Sequence, residues 1–322
     1  MTTAPADAAA GLSQAELVAL ANEASTKALS DPATMALYLD PKFALRPHLR
    51  LLADEISAVA TGHTKRLMIM IPPQTGKSTL AAVWTPFWWL ARNPSQRVII
   101  GSYGQTLAMH RGRAIRRAVE LHGWQWDLAL AYGSRQTADW ALETGGGIKS
   151  VGVGSGVTGS PADLLVLDDP HKSRAEADSR TKRDAVWDWY SADFLSRLAP
   201  GGPVIAMLTP WHEDDWAHRA LAQDGRAEDG GDWRVVRLPA FADTDDDPLG
   251  RAYGDPLPHP LIPEHDTASA AEHWSGRRRQ STPRDWGALY QLDPKPAEGA
   301  LIDRDALRQM RYIPPPADPV KT

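Results

Sequence analysis

The chain contains four short, continuous runs of apolar residues before residue 210. They occupy residues 67–71, 98–101, 164–167 and 204–208. Runs of this kind are typical of strands that are buried on both faces of a sheet. Between them lie longer stretches with helical spacing, at 105–121 and 174–198. The alternation of strands and helices predicts an α/β fold around an open, mainly parallel sheet.

The pattern changes on both sides of this region. The spacing within residues 12–39 predicts one or two short helices, and that within 47–60 predicts another. Residues 243–266 are rich in proline, aspartate and glycine, which predicts a long surface excursion before a short helix at 268–279. We therefore divide the chain into an N-terminal tail and helical extension, a core, and a C-terminal lid or linker subdomain, at residues 1–46, 47–240 and 241–322.

Composition narrows the possible chemistry. The 322 residues include no cysteine, which excludes a disulfide framework, a thiolate zinc site, an iron–sulfur cluster and a cysteine nucleophile. The net charge of −5 argues against a protein that coats DNA, although local basic surfaces remain possible. No apolar run approaches the ~20 residues that span a bilayer, and the N-terminus lacks the features of a signal peptide. We expect a soluble intracellular protein that binds no membrane.

The first predicted strand leads directly into Gly76-Lys77-Ser78-Thr79, a turn suited to phosphate. Backbone N–H groups and the start of the following helix favour an anion, Lys77 reaches the β- and γ-phosphates, and the Ser78 hydroxyl binds Mg²⁺. We expect Lys77 to lie in a solvent-facing loop. Ile71 stands where the usual pattern has its first glycine. The tripeptide alone is therefore weak evidence, which the strand before it and the helix after it strengthen.

Polar residues also follow two later strands. The strand at 164–167 ends in Asp168 and Asp169, which suit a Mg²⁺–ATP site: Asp168 for the metal and Asp169 to orient and polarise the attacking water. The alternative is a helix N-cap and its neighbour, since aspartate is common after strands. Thr209 ends the next strand, where it would sense the γ-phosphate or simply begin a turn. Together these residues favour ATP hydrolysis.

At this point the sequence resembles the large terminase subunit of tailed bacteriophages, the ATP-driven DNA-packaging motor. The resemblance covers about residues 47–307. Its motifs lie at residues 72–79, 102–103, 151–154, 157–159, 162–172, 187–190, 209–216, 289–291 and 296–299.

The resemblance implies a RecA-like P-loop NTPase (ASCE) fold with ATP and Mg²⁺ as cofactors. It makes residues 72–79 the Walker A segment, Asp168 the metal-side acid of Walker B and Asp169 the catalytic acid. The nucleotide-binding residues become Pro73, Gln74, Thr75, Gly76, Lys77, Ser78 and Thr79, with Lys77 also catalytic and Ser78 and Asp168 on the metal. The coupling residues become Thr209, Trp211 and His212.

The implied partners are double-stranded DNA, the portal protein of the procapsid, the small terminase subunit and further copies in a ring, a pentamer in this family. The implied location is the host cytoplasm, with transient docking on the procapsid. Large terminases usually also carry a C-terminal nuclease. The acids Asp303, Asp305 and Asp318 lie on no recognisable buried strand, so we expect no nuclease activity from this chain.

Departures from the family pattern keep alternatives open. Gln74 and Pro210 stand where the family often has arginine, so no arginine finger is assigned, and Asp169 replaces a frequent glutamate. Another RecA-like or helicase-like nucleic-acid ATPase, or a degenerate ATP-binding structural subunit, remains an alternative; a small-molecule kinase is disfavoured. The arginine clusters at 111–117 and 277–279 would suit contact with DNA phosphates or an arginine finger in trans, but solvated helix faces are the favoured interpretation. Most tryptophans are interpreted as core or interface. The histidines lack metal-ligand spacing, and His48 is interpreted as structural.

Overall fold

A computed structural model describes residues 13–295 apart from 135, 158 and 160. Several sequence predictions fall outside these residues: the tail before residue 13, one residue of the family motif at 157–159, the whole motif at 296–299, and the acids Asp303, Asp305 and Asp318.

A seven-stranded sheet forms the centre of the fold, in the order β3-β4-β2-β5-β6-β1-β7. Its strands are β1 Arg66–Met70, β2 Arg97–Ser102, β3 Asp139–Ala141, β4 Gly147–Gly152, β5 Leu164–Asp168, β6 Val204–Leu208 and β7 Trp233–Arg237. Every neighbouring pair is parallel except β3 and β4. The predicted α/β class with a mainly parallel sheet is confirmed.

Helices precede, connect and follow the strands. They are α1 Gln14–Ala28, α2 Pro32–Leu39, α3 Pro47–Ala60, α4 Lys77–Thr79, α5 Thr85–Arg92, α6 Gln105–His122, α7 Arg174–Asp178, α8 Arg180–Asp188, α9 Trp216–Asp224, α10 Thr267–Gln280 and α11 Pro283–Asp285. A π-helical turn at Leu80–Trp84 joins α4 to α5, and another at Trp189–Phe194 follows α8. No described helix is long and apolar enough to cross a membrane.

Both faces of the sheet are covered, as the continuous apolar strands require. In β1, Leu67 and Ile69 belong to one hydrophobic cluster and Met68 to the other, because successive side chains of a strand point to opposite faces. Helices α2, α3, α5 and α6 contribute to the first cluster, and α8, the π-turn after it and α9 to the second. Trp216 and Trp233 are fully buried in the second cluster, as expected for core tryptophans.

The segment at 243–266 follows the surface for much of its length, as predicted, but part of it packs against the core. Leu257 is fully buried in the first cluster, and its carbonyl oxygen accepts a 2.7 Å hydrogen bond from Trp274 Nε1 of α10. Arg251 and Asp247 form a buried 2.7 Å ion pair. The buried polar side chains of Arg251 and Asp247 satisfy each other, so the polar composition of the segment does not force all of it into water.

Candidate nucleotide-binding site

Three adjacent strands end at the same edge of the sheet. Strand β6 lies between β1 and β5, and its last residues pair with theirs: Leu208 with Met70, and Met207 with Asp168. Because the three strands are parallel, the residues that follow them meet at one edge, where open α/β sheets bind ligands. The residues that follow β1, the acids Asp168 and Asp169 at the end of β5, and Thr209 after β6 therefore lie together at this edge.

The loop after β1 has a defined, braced conformation. Gln74 and Gly76 have positive φ angles of 64° and 88°. Thr75 is buried, and its Oγ1 donates a 2.8 Å hydrogen bond to the carbonyl oxygen of Pro72. A Cβ on Gly76 would lie 3.3 Å from Leu49 Cδ1 of α3, so glycine also permits the close approach of that helix.

His48 of α3 forms a hydrogen bond with the backbone of this loop. Its Nε2 lies 2.9 Å from the carbonyl oxygen of Thr75, and the residue is fully buried. Burial lowers the pKa of His48 to about 4. The imidazole is therefore neutral at physiological pH and donates its Nε2–H to that carbonyl. The structural role expected for His48 is thus specifically support of the phosphate loop.

Lys77 is buried, which corrects the expectation of a solvent-facing position. Its Nζ lies 2.7 Å from Thr209 Oγ1, 3.3 Å from the carbonyl oxygen of Ile71 and 3.7 Å from Asp169 Oδ1. The side chain is only 5% exposed. Side chains of a helix lean toward its N-terminus, so the first residue of α4 directs its ammonium group back to the end of β1.

The two acids have different environments. Asp168 is fully buried; its Oδ1 accepts from Ser78 Oγ at 3.1 Å and its Oδ2 from Arg111 Nε at 2.8 Å. Asp169 is partly exposed and has a φ of 47°, and its Oδ1 accepts from Thr209 N at 3.1 Å. The groups packed around the Asp169 carboxylate remove part of its hydration; this desolvation, with the neighbouring Asp168 charge, raises the pKa of Asp169, while Lys77 opposes the rise.

Neither acid caps a helix. The next helix, α7, begins at Arg174 with Ser173 as its N-cap. The alternative interpretation of Asp168 and Asp169 as an N-cap and its neighbour is therefore wrong. Both acids instead direct their carboxylates toward residues of the loop after β1.

Ser78 and Asp168 suit a magnesium ion. They present a hydroxyl and a carboxylate oxygen 3.1 Å apart. Mg²⁺ prefers oxygen ligands and is usually held by one or two protein groups together with water and substrate phosphates. Within the part of the chain that the structure describes, no group of three or more histidine or acidic side chains forms an all-protein metal cage. The donor set therefore fits a metal that arrives with a nucleotide.

The predicted coupling residues divide into two sets. Thr209 directly follows β6, and its side chain contacts Lys77. The backbone N–H groups of Trp211 and His212 donate instead to Asp215 Oδ2, at 2.8 and 3.4 Å. Asp215 is buried and also caps α9. Residues 209–215 thus connect Lys77 to the start of α9.

Arg111, Arg277 and Asp215 are site residues that sequence reasoning missed. Arg111 pairs with Asp168, whereas the prediction of a solvated face holds for its exposed neighbours Arg113 and Arg117. Arg277 of α10 donates from a terminal guanidinium nitrogen to Gln74 Oε1 at 3.0 Å. Both arginines lie on helices that also carry exposed arginines, so the sequence offered no signal to separate them. Asp215 was detectable only as the aspartate directly preceding a helix.

The sheet order and the groups at its edge define the class of the protein as an α/β domain with a mainly parallel sheet and a candidate nucleotide site at one strand edge. The family model described as "Terminase large subunit, T4likevirus-type, N-terminal" matches residues 68–273. The chain therefore belongs to the terminase large subunit family and contains its N-terminal region.

The chain is also similar to solved structures of phage large terminases. The large terminase of bacteriophage HK97 is 16% identical, with a TM-score of 0.49 over 77% of this chain and 50% of that chain. The large terminase ATPase domain of Thermus phage P74-26 is 12% identical, with a TM-score of 0.48 over 74% of this chain and 92% of that chain. The chain thus spans half the length of the HK97 protein. A search of curated proteins found no match.

Proposed function

We propose that this chain hydrolyses Mg²⁺–ATP and that hydrolysis drives double-stranded DNA into a phage procapsid. Membership of the terminase family supports the proposal. The observation that carries it is the convergence of Lys77, Asp169 and Thr209 within hydrogen-bonding or ion-pair distance at one strand edge. This arrangement unites a phosphate-binding cation, a carboxylate and a residue that links both to the next segment.

Each side chain has a separate task in the proposed reaction. Lys77 neutralises charge on the β- and γ-phosphates, and Asp169 orients the attacking water and accepts its proton. Ser78 and Asp168 hold the metal, which when bound neutralises charge on the phosphate oxygens. The raised pKa of Asp169 makes this carboxylate a better proton acceptor than an exposed aspartate.

Thr209 offers a route from hydrolysis to movement. Its Oγ1 accepts a hydrogen bond from Lys77, and its N–H donates one to Asp169. A γ-phosphate that binds Lys77 would therefore compete with Thr209 Oγ1 for the ammonium group. The following backbone, at Trp211 and His212, is tied through Asp215 to α9. Loss of the γ-phosphate would therefore be transmitted toward α9 through a short hydrogen-bonded segment.

The remaining partners are proposed from the family. They are the portal protein of the procapsid, the small terminase subunit and other copies of this chain in a pentameric ring. The proposed location is the host cytoplasm, with transient docking on the procapsid.

ATP turnover of the purified chain tests the proposal in three conditions: alone, with duplex DNA, and with DNA and empty procapsids. We expect turnover that rises with DNA and DNA uptake that requires procapsids. Lys77→Ala should abolish both, and Lys182→Ala, an exposed lysine of α8, is the matched control. Nucleotide binding without turnover in any condition would indicate a degenerate structural subunit. Duplex unwinding without procapsids would indicate a helicase-like ATPase.

A further inference from the structure

Helix α10 brings an arginine to the rim of the phosphate loop. A terminal nitrogen of the Arg277 guanidinium donates to Gln74 Oε1 at 3.0 Å. Gln74 is exposed and sits in the loop with a left-handed backbone, two residues before Gly76. Arg277 therefore lies beside the strand edge at which a nucleotide would place its phosphates.

Packing fixes the position of α10 beside this loop. Arg46 donates to three carbonyl oxygens of the segment that leads into α10, those of His259, Pro260 and Ile262, at 2.9–3.3 Å. A Cβ on Gly76 would lie 3.6 Å from Pro260 Cγ, so this segment also borders the loop directly. On the helix itself, Trp274 is buried and hydrogen-bonded to Leu257.

Within the described part of the chain, no carboxylate compensates the charge of Arg277, whereas three other cations around the site have acidic neighbours. Lys77 lies by Asp169, Arg111 pairs with Asp168, and Arg279 pairs with Glu272 at 2.6 Å. Among the described residues, no carboxylate pairs with Arg277, whose side chain donates to a neutral amide oxygen. Burial, and then the charge of Arg277, lower the pKa of neighbouring His273.

A free guanidinium beside an anion-binding loop is suited to phosphate. Its planar donors match two oxygens of a phosphate, and hydrogen bonds between ionised partners are about twice as strong as neutral ones. A phosphate oxygen would therefore displace the amide of Gln74 as the partner of Arg277.

We propose that Arg277 binds the terminal phosphate of a nucleoside triphosphate held in the loop at 72–79. The inference rests on the proposed ATP site and adds a residue from the C-terminal segment to it. Arg277 then makes the affinity for a triphosphate, but not for a diphosphate, depend on α10.

Titration calorimetry with ATPγS and with ADP, both in the presence of Mg²⁺, tests the assignment on the full chain. In Arg277→Gln we expect about a tenfold to hundredfold loss of ATPγS affinity, as for one lost charged hydrogen-bonding group, with ADP affinity unchanged. Arg277→Lys should retain part of the affinity, because it keeps the charge and loses the planar fork. Arg278→Gln is the matched control, since Arg278 is an exposed arginine whose guanidinium lies 6.0 Å from the Trp286 ring.

Three outcomes would overturn the assignment. They are unchanged ATPγS affinity in Arg277→Gln, an equal loss for ATPγS and ADP, or the same loss in Arg278→Gln. The proposed function survives each of them if the unmodified chain binds ATPγS and hydrolyses ATP. Absence of nucleotide binding by the unmodified chain would instead refute the ATP site together with this inference. A melting curve for each variant confirms that these surface changes leave the fold intact.

Discussion

Arg111 Nε donates to Asp168 Oδ2 at 2.8 Å, and the carboxylate of Asp168 is fully inaccessible to water. The other oxygen, Oδ1, accepts from Ser78. Both oxygens of the metal-side acid are thus engaged by groups of this chain. A metal that binds Asp168 directly must take over at least one of these contacts, so Arg111 and the metal compete for the same carboxylate.

Removing Arg111 should destabilise the metal-free protein and strengthen metal binding. Arg111→Met leaves a buried carboxylate without its cation; since Arg111 is partly exposed, we expect a loss of about 1–3 kcal/mol in the free energy of unfolding, below the range for a fully buried pair. Urea unfolding with and without Mg²⁺ measures both effects. Arg113→Met, at an exposed position of the same helix, is the control. Equal stability changes in the two variants would contradict the competition.

Lys77→Ala should lower stability as well as turnover. Lys77 is buried against Thr209 and Asp169, so its removal leaves the Thr209 hydroxyl without its donor and the Asp169 carboxylate without its neighbouring cation. We expect a loss of about 1–3 kcal/mol in unfolding free energy, as for unsatisfied buried polar groups. The pKa of Asp169 should also rise further, because the opposing charge is gone. Urea unfolding and carboxyl NMR titration measure these changes. A melting curve identical to that of the unmodified chain would support the solvent-facing position predicted from the sequence.

Replacing Asp168 or Asp169 by asparagine should impair different steps of the reaction. Asp169→Asn should keep nucleotide binding and lower turnover at least about a hundredfold, the lower range for losing a positioned base. Asp168→Asn should instead weaken the Mg²⁺-dependent part of nucleotide binding. Calorimetry and single-turnover hydrolysis separate the two effects. If both variants show the same pattern, the division of roles between the acids is wrong.

His48 should make stability depend on pH. Its pKa is about 4 in the folded chain and about 6.5 when exposed, so the unfolded chain binds more protons between these values. Its contribution is therefore complete above pH 6.5 and falls by about 3 kcal/mol as the pH drops toward 4. His48→Gln, whose amide also donates but does not titrate, should flatten this part of the stability profile. An unchanged slope of unfolding free energy against pH would refute the assignment.

The elements that the sequence predicted share strong local patterns. Strands β1, β2, β5 and β6 are continuous apolar runs, and α3 matches the predicted 47–60 because its apolar spacing follows a proline at the first helical position. Strand β7 escaped prediction because two of its five residues are arginines, and β4 because it contains glycine, serine and lysine. These strands are defined by pairing with their neighbours more than by their own composition.

The sequence by itself determined the α/β class, the family and the order in which a phosphate loop, two acids and a threonine follow buried strands. These features are local: each depends on a few adjacent residues and on the rule that parallel strands end at one edge. The tertiary structure alone decided that Lys77 is buried, that His48 supports the loop, and that Arg111 and Arg277 reach the site from distant helices. Such contacts join residues far apart in the chain, and equally charged neighbours on the same helices face water. Which arginine meets a partner therefore depends on the packing of its helix, which no local pattern encodes.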